Sequence, residues 1–327
     1  MSAPLLSVQD VRVHFPITVG SVLRRRTVPL KAVDGISFEL EPGRTLGVVG
    51  ESGCGKSTLG RAVLQLIRPT SGRVLWLGED LTGLGGAALR ARRKDMQIVF
   101  QDPLASLDPR MPVGEIVAEP LRTHHPATRR AEVRERVRAI MQEVGLLPQM
   151  INRYPHEFSG GQCQRIGIAR AMILRPKLIV CDEPVSALDV SIQAQIINLL
   201  MELQRSFGLA LIFISHNLAV VRHISHRIMV LYLGRMMELA DRDALYARPL
   251  HPYTQALISA VPLPDPELER QKPRIVLKGD LPSPIDPPSG CVFRTRCPKA
   301  TEICAAQVPR VETAAPGHEV ACHHWRG

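Results

Sequence analysis

Apolar and polar residues alternate near the start of the chain, and short continuous apolar runs follow them. Residues 5–15 and 30–41 carry apolar side chains at roughly every second position, which predicts two β-strands, the first at a sheet edge. Residues 46–49, 178–181, 209–214 and 228–233 are almost entirely apolar. Runs of this length are typical of strands that are buried in a parallel sheet. The pattern therefore predicts an antiparallel β region that leads into a parallel core.

Helical spacing separates these runs. Apolar residues recur every three or four positions in residues 59–66, 113–147, 160–174 and 190–206, which predicts helices there. Pro176 ends the third of them, because proline cannot continue the backbone hydrogen bonds of a helix. The polar and basic residues 16–29 predict a hairpin or a mobile loop. Strands that alternate with helices indicate an α/β fold.

The chain changes character at about residue 251. Prolines become frequent there and the periodicity of apolar residues fades. We interpret residues 251–327 as a separate small unit that is cross-linked rather than held by a packed core. This division into 1–250 and 251–327 agrees with the length of 327 residues, which allows about two domains.

Charge and composition restrict the partners. The formal net charge is +10, which suits nucleic acid, anionic lipid or nucleotide. The basic clusters at 24–26 and 92–94 are short, and the aromatic content of 4% does not provide the interleaved aromatic residues of single-strand binders. We therefore expect no nucleic-acid partner.

Membrane and export signals are missing from the pattern. Residues 1–20 have no apolar core of a signal peptide. The longest apolar runs are far shorter than the ~18 residues that span a bilayer. We expect a soluble chain that reaches a membrane only through a partner, and a reducing compartment in which its seven cysteines form no disulfides.

A glycine-rich segment between a predicted strand and a predicted helix carries the clearest chemistry. Its spacing, G-x-x-x-x-G-K-S/T, is that of a loop whose backbone N–H groups surround phosphates. Its positions are Gly50, Glu51, Ser52, Gly53, Cys54, Gly55, Lys56, Ser57 and Thr58. We expect Lys56 to reach the β- and γ-phosphates and the Ser57 hydroxyl to bind Mg²⁺. The alternative is a glycine-rich turn with a chance lysine.

Polar side chains follow two of the apolar runs and a further predicted strand at residues 97–100. Asp182 and Glu183 come directly after residues 178–181, where an aspartate holds Mg²⁺ through water and a glutamate can polarise the attacking water. Gln101 and His216 follow two other predicted strands, and ligands collect at the carboxyl ends of such strands. We predict that Gln101 contacts Mg²⁺ and the water, and that His216 reaches the γ-phosphate and orients Glu183.

A second anion-binding element lies at the start of the predicted helix 160–174. Its residues are Ser159, Gly160, Gly161 and Gln162, which offer backbone N–H groups and the positive end of a helix dipole. One nucleotide held between two chains, each contributing one element, accounts for both.

Together these motifs resemble the ATP-binding subunit of an ABC transporter. The chain contains GESGCGKST, the Gln101 loop, FSGGQ, LIVCDEP, SALD and His216 in that order, and the resemblance covers residues 5–240. It implies a P-loop ATPase core with an antiparallel β subdomain, an inserted helical subdomain at about 104–174 and a small Cys-containing C-terminal extension. It also implies ATP and Mg²⁺ as cofactors, with Phe15 stacking on adenine and Asp189 in the nucleotide site.

Two positions depart from the usual signature. Phe158 stands where leucine is common, and Cys163 follows the motif. Both leave the phosphate contacts in place.

The flanking segments narrow the resemblance to the dipeptide/oligopeptide importers. They are VFQDPLASLDPR, RYPHEFSGGQCQR, HPYTQAL and LPSPIDPPSGCVFRTRCPKATEIC. The resemblance implies two transmembrane permease subunits, a second, related ATPase subunit in a heterodimer, and, indirectly, an extracytoplasmic peptide-binding protein. It places the chain peripherally on the cytoplasmic face of the inner membrane.

Four cysteines are spaced C-x5-C-x6-C-x17-C in the proline-rich tail: Cys291, Cys297, Cys304 and Cys322. Four thiols in a region without a predicted core argue for a metal centre. The C-x2-C spacing of zinc ribbons is missing. The family resemblance implies a [4Fe–4S] cluster held by four thiolates. Zinc and four free thiols are the alternatives.

The expected function is therefore ATP hydrolysis that drives peptide import. Three alternatives remain: a soluble ABC ATPase of DNA repair or translation, a non-enzymatic nucleic-acid or metal sensor, and an importer of nickel or another small solute. The first usually has a coiled-coil insertion or two tandem cassettes, and this sequence has neither.

Overall fold

The computed structural model describes residues 4–20, 25–262 and 265–326. Their strands are β1 Leu6–Val19, β2 Arg26–Leu40, β3 Thr45–Val49, β4 Ser71–Trp76, β5 Glu79–Asp80, β6 Met96–Val99, β7 Leu178–Asp182, β8 Ala210–Ile214, β9 Arg227–Tyr232, β10 Arg235–Asp241, β11 Glu312–Ala315 and β12 His318–Val320.

Helices connect most of these strands. They are α1 Lys56–Val63, α2 Gly86–Arg93, α3 Val113–His124, α4 Arg130–Glu143, α5 Gly160–Met172, α6 Val190–Phe207, α7 Leu218–Ile224, α8 Arg242–Ala247, α9 Pro252–Ser259, α10 Pro266–Gln271 and α11 Glu302–Ala306. Among the described residues, no helix is both long enough and apolar enough to cross a bilayer.

The strands form an antiparallel sheet and a larger mixed sheet. The first has the order β2-β1-β4-β5, and the second has the order β11-β12-β10-β9-β3-β8-β7-β6. Strands β9, β3, β8, β7 and β6 are parallel, and every residue of β3, β7 and β8 is buried. Because both faces of this core are covered, its strands are continuous apolar runs. The prediction of an α/β fold with an antiparallel β region and a parallel core is confirmed.

The N-terminal hairpin differs from the prediction in two ways. Strand β1 lies between β2 and β4, so it is not an edge strand. The pairing also continues through the predicted loop as far as Val19 opposite Arg26. Ile17 and Val19 stay half-buried while their neighbours are exposed, so the alternation that favours a strand persists. The predicted loop also includes residues 21–24, which lie outside the described residues.

The predicted helical stretch 113–147 is two helices, α3 and α4. Pro126 lies in the break between them, where it disfavours helical backbone at His125, which has φ −133° and ψ 63°. Helix α5 packs against both, so that the three form a helical layer beside the large sheet.

The tail beyond residue 250 packs into the main core, contrary to the separate unit predicted from its sequence. Strand β12 pairs with β10, which extends the large sheet. Tyr253 and Phe293 are fully buried, and their ring centroids lie 4.9 and 5.2 Å from that of Tyr232. A few large side chains anchor this segment, and such isolated anchors leave no periodic signal in the sequence.

A buried carboxylate joins β10 to both ends of the tail. Glu238 is 0% exposed and accepts hydrogen bonds from the N–H groups of Leu250 and His251 at 2.8 and 2.9 Å. Nε2 of His318 in β12 lies 2.7 Å from Oε1 of Glu238, the oxygen that also accepts from Leu250. His251 in turn caps α9, because its Nδ1 accepts from the N–H of Tyr253 at 3.0 Å.

His251 makes the stability of this junction dependent on pH. Complete burial lowers the pKa of His251 from 6.5 to about 4, although nearby Glu238 opposes the shift. Between these values the unfolded chain binds more protons, so the free energy of unfolding falls as the pH falls through this window. We expect His251→Asn, which keeps an N-cap oxygen, to remove ~1.4 kcal/mol per pH unit of this dependence.

Urea unfolding of the wild type and His251→Asn at pH 7, 6 and 5 measures the difference. The wild type should lose stability more steeply than the variant. Parallel pH profiles would contradict the assignment.

Candidate nucleotide site

A cavity of about 610 Å³ opens at the carboxyl ends of the parallel strands. It gathers ten of the residues that the sequence predicted to act on a nucleotide: Phe15, Ser52, Gly53, Gly55, Lys56, Ser57, Thr58, Gln101, Glu183 and His216. Leu30 and Ala32 also line it, and the sequence analysis missed both because apolar residues of a hairpin carry no chemical signal. Phe15, Leu30 and Ala32 together give the cavity an apolar wall of the kind that an adenine ring packs against.

The loop between β3 and α1 forms the floor of the cavity. Gly55 has φ +101°, and a Cβ there would lie 2.0 Å from the carbonyl oxygen of Ala32, so only glycine fits. Lys56 is 5% exposed, and its Nζ donates to the carbonyls of Gly50 and Glu51 at 2.8 and 3.0 Å. The lysine therefore spans the loop, with its ammonium group held beside the backbone that surrounds the phosphate position.

Two oxygen ligands suited to Mg²⁺ lie together on one side of the loop. The Ser57 hydroxyl donates to Oδ1 of Asp182 at 2.6 Å, and Asp182 is 2% exposed. Burial raises the pKa of Asp182, and the Ser57 hydrogen bond and the charge of Arg61 oppose this shift. Hydroxyl and carboxylate oxygens are the ligands that Mg²⁺ prefers, so the pair fits the ion.

Glu183 is the meeting point of three strand ends. Its Oε2 lies 3.4 Å from Nε2 of Gln101 and 3.2 Å from Nδ1 of His216. Gln101 follows β6, Glu183 follows β7 and His216 follows β8, and these strands are neighbours in the sheet. The three polar groups that the sequence assigned to one reaction thus form one hydrogen-bonded group.

The backbone of Glu183 is strained in a way that fits a functional position. Its φ is +48°, in the left-handed region that a glutamate rarely adopts. Its N–H donates to the carbonyl of Ile214 at 3.0 Å, which fixes the turn after β7. Strain of this kind persists where the surrounding structure holds a residue for a task.

The second predicted phosphate element does not line this cavity. Ser159 and Gly160 are exposed at the start of α5, and Gly161 and Gln162 are partly exposed. Ser159 Oγ accepts from the N–H of Gln162 at 3.4 Å, and Oε1 of Gln162 accepts from the N–H of Ser159 at 3.0 Å. This capping box satisfies two backbone N–H groups at the start of the helix. Asp189, at the start of α6, is likewise exposed and outside the cavity.

Three residues of the glycine-rich loop also lie outside the cavity lining. Gly50 has φ +152° and packs against the backbone of β9. The Cys54 thiol is buried 3.9 Å from Lys56 Nζ, and burial raises its pKa. The carboxylate of Glu51 points away from the phosphate position and pairs with Arg296 at 2.8 and 3.0 Å. A carboxylate in an anion-binding loop suggests that a cation balances its charge. The motif did not indicate that this cation is Arg296.

The four tail cysteines are neighbours. Cys291, Cys304 and Cys322 are buried and Cys297 is partly buried. Burial raises the pKa of Cys291 to about 11, and the other three thiols add to that shift. The nearby histidines have other partners: His318 contacts Glu238, His323 contacts the carbonyl of Gln307, and His324 contacts Thr301.

Within the described residues, these cysteines are not arranged as a set of metal ligands. Across residues 4–20, 25–262 and 265–326, no group of three or more His, Cys, Asp or Glu side chains is placed to hold a metal ion. The predicted metal centre therefore has no support from this arrangement of side chains.

Two family models match the chain. The ABC transporter model matches residues 33–186. The model of the oligopeptide/dipeptide transporter C-terminal region matches residues 237–304, which include Glu238, Arg296 and three of the four tail cysteines.

Curated relatives match over nearly the whole chain. The oligopeptide transport ATP-binding proteins OppF of Salmonella typhimurium and Escherichia coli are each 62% identical over 319 residues, covering 97% of this chain and 95% of theirs. The oligopeptide transport ATP-binding protein AppF of Bacillus subtilis is 56% identical over 320 residues, covering 98% of this chain and 97% of its own.

Solved structures share the fold. The ATP-binding cassette MJ0796 in a dimeric post-hydrolysis state bound to ADP and Pi aligns with a TM-score of 0.63 and 27% identity, covering 72% of this chain and 98% of its own. A second dimeric structure of this bacterial ABC transporter cassette aligns with a TM-score of 0.62.

The geometry predicts the behaviour of Glu183→Gln. The variant keeps the hydrogen-bonding shape but cannot accept a proton from water, so it should bind ATP, dimerise and hydrolyse at least about 100-fold more slowly. ATP binding, size-exclusion chromatography and phosphate release measure the three properties. Glu202→Gln, an exposed position on α6, is the matched control and should keep wild-type turnover. Unchanged turnover in Glu183→Gln would remove its role.

Proposed function

This chain belongs to the ATP-binding subunits of oligopeptide ABC transporters, and we propose that it hydrolyses ATP to power the uptake of di- and oligopeptides through partner permeases. The observation that carries the proposal is the hydrogen-bonded group of Gln101, Glu183 and His216 facing the glycine-rich loop across one cavity. The match of residues 237–304 to the oligopeptide/dipeptide transporter C-terminal region supports peptides as the cargo.

In the proposed reaction, Lys56 moves from the loop carbonyls to the β- and γ-phosphates. Ser57 and Asp182 hold Mg²⁺, which neutralises phosphate charge when it is bound. Glu183 accepts a proton from the attacking water, while Gln101 and His216 hold the carboxylate and the water in place. Phe15 stacks on the adenine.

The reaction needs a second ATPase subunit. Ser159, Gly160, Gly161 and Gln162 are open to solvent and lie outside their own cavity, so we propose that they bind the γ-phosphate of the nucleotide on a partner subunit. The capping box occupies the N–H groups of Ser159 and Gln162. The N–H groups of Gly160 and Gly161 lie in the first helical turn, where the helix itself provides no acceptor, so they can bind phosphate oxygens. We place Asp189 at the same interface, and we propose that the partner is a related but different ATPase in a heterodimer.

The remaining partners follow from transport. We propose two transmembrane permeases, an extracytoplasmic peptide-binding protein that acts through them, and a position on the cytoplasmic face of the inner membrane. We assign ATP binding to residues 1–250, with a helical subdomain at about 104–174, and keep residues 251–327 as a C-terminal extension. ATP hydrolysis opens the dimer, and the Gln101 loop passes this motion to the permeases.

We also propose that Cys291, Cys297, Cys304 and Cys322 hold a [4Fe–4S] cluster. The support is chemical: the other three thiols are close enough to Cys291 to help raise its pKa, and three of the four thiols are buried. A cluster favours thiolates, which would reverse the shifts that burial imposes on the free thiols.

Metal analysis of the anaerobically purified full chain tests the cluster. We expect about four iron and four sulfide ions per chain and a broad visible absorption. Cys297→Ser should lower both, whereas the control Cys163→Ser, in the helical layer, should not. About one zinc per chain, or neither metal, would contradict the proposal.

Purification from membranes tests the transport function. An affinity-tagged chain should copurify with two permeases and a second ATPase, and the reconstituted complex should accumulate labelled peptides only with ATP. The complex carrying Glu183→Gln is the control and should lose uptake. Accumulation of nickel in place of peptides would overturn the cargo, and purification without permeases would favour a non-transport ATPase.

A further inference from the structure

Every polar group of Glu51 in the glycine-rich loop is held by another residue. Its carbonyl accepts from Lys56 Nζ at 3.0 Å. Its N–H donates to the hydroxyl of Tyr253 at 3.0 Å. Its carboxylate accepts from Arg296 at 2.8 and 3.0 Å. Two of these three partners belong to the tail, so the tail holds the start of the loop from outside the cavity.

Both tail residues are themselves firmly placed. Tyr253 is 0% exposed and packs edge-on against Tyr232, the last residue of β9. The Arg296 side chain is 11% exposed, and its guanidinium lies 6.0 Å from the ring centroid of Tyr232. The N–H of Arg296 donates to the carbonyl of Phe293 at 3.0 Å, which anchors the segment to the buried aromatic cluster.

Charge gives this contact a consequence for nucleotide binding. Glu51 is adjacent to the N–H groups that surround a triphosphate, and an uncompensated carboxylate there would repel the phosphates. Arg296 neutralises it and turns it away from the cavity. Burial opposes the charge of Arg296, yet the Glu51 carboxylate keeps the pKa of the guanidinium above its ordinary value.

We propose that Arg296 is a positioning residue for ATP binding, acting through Glu51 to fix the shape and the charge of the glycine-rich loop. Arg296 does not line the cavity, so it acts without touching the nucleotide. The inference rests on the proposed ATPase function but not on peptides as cargo. It makes the C-terminal extension part of the machinery that binds ATP.

The test compares Arg296→Met, Arg296→Lys, Glu51→Gln and the double variant Glu51→Gln/Arg296→Met in the reconstituted complex. Arg296→Met should raise KM for ATP about tenfold while kcat stays within about threefold, because the contact acts on binding. Arg296→Lys keeps the charge but loses the forked geometry, and its KM should lie between those of the wild type and Arg296→Met.

The double variant separates positioning from general damage. If Arg296 acts through Glu51, the KM of the double variant should be no higher than that of the worse single variant. Multiplied effects, or a KM of Arg296→Met within about twofold of the wild type, would overturn the proposal. If Arg296→Met does not fold, the same double-mutant comparison is made with Arg296→Lys, Glu51→Gln and the double variant Glu51→Gln/Arg296→Lys.

Two controls complete the design. Arg294→Gln removes a guanidinium two residues away that contacts Ser289, and it should leave KM and kcat unchanged. The melting temperature of each variant shows whether the tail is intact. If the wild-type complex hydrolyses ATP normally but takes up no peptide, the proposed cargo is overturned and the role of Arg296 is not. If the wild type has no ATPase activity, the proposed function itself is overturned.

Discussion

The site depends on the parallel pairing of strands β3, β8, β7 and β6. Each strand ends at the same edge of the sheet, and each continues into a polar segment: the glycine-rich loop, His216, the Asp182–Glu183 pair and Gln101. Parallel pairing is what brings four separate chain segments to one edge. Because the strands are buried on both faces, their register is firmly held, and so are the positions of the groups that follow them.

The polar groups at this edge hold one another through hydrogen bonds. Lys56 bonds the loop carbonyls, Ser57 bonds Asp182, and Gln101 and His216 both contact Glu183. These contacts fix the positions of side chains that line the cavity.

The tail is joined to this network from two directions. Glu238 fixes both ends of the tail to β10 through three hydrogen bonds, and the aromatic cluster of Tyr232, Tyr253 and Phe293 seats Arg296 beside the glycine-rich loop. The tail, which the sequence pattern predicts to be a separate unit, therefore packs into the core of the ATPase. This arrangement places the cysteine cluster one residue away from a contact with the phosphate loop.

The sequence by itself located the candidate groups: the glycine-rich loop, the strand-end carboxylates and the helix start at Ser159 are each local, and their residues are neighbours in the chain. It also predicted the parallel core, because strands that are buried on both faces of a sheet appear in the sequence as continuous apolar runs. The tertiary structure decided which segments that are far apart in the sequence contact one another. The interior place of β1, the packing of the tail and the contact between Glu51 and Arg296, 245 positions apart, arise from packing between segments whose local patterns do not specify each other.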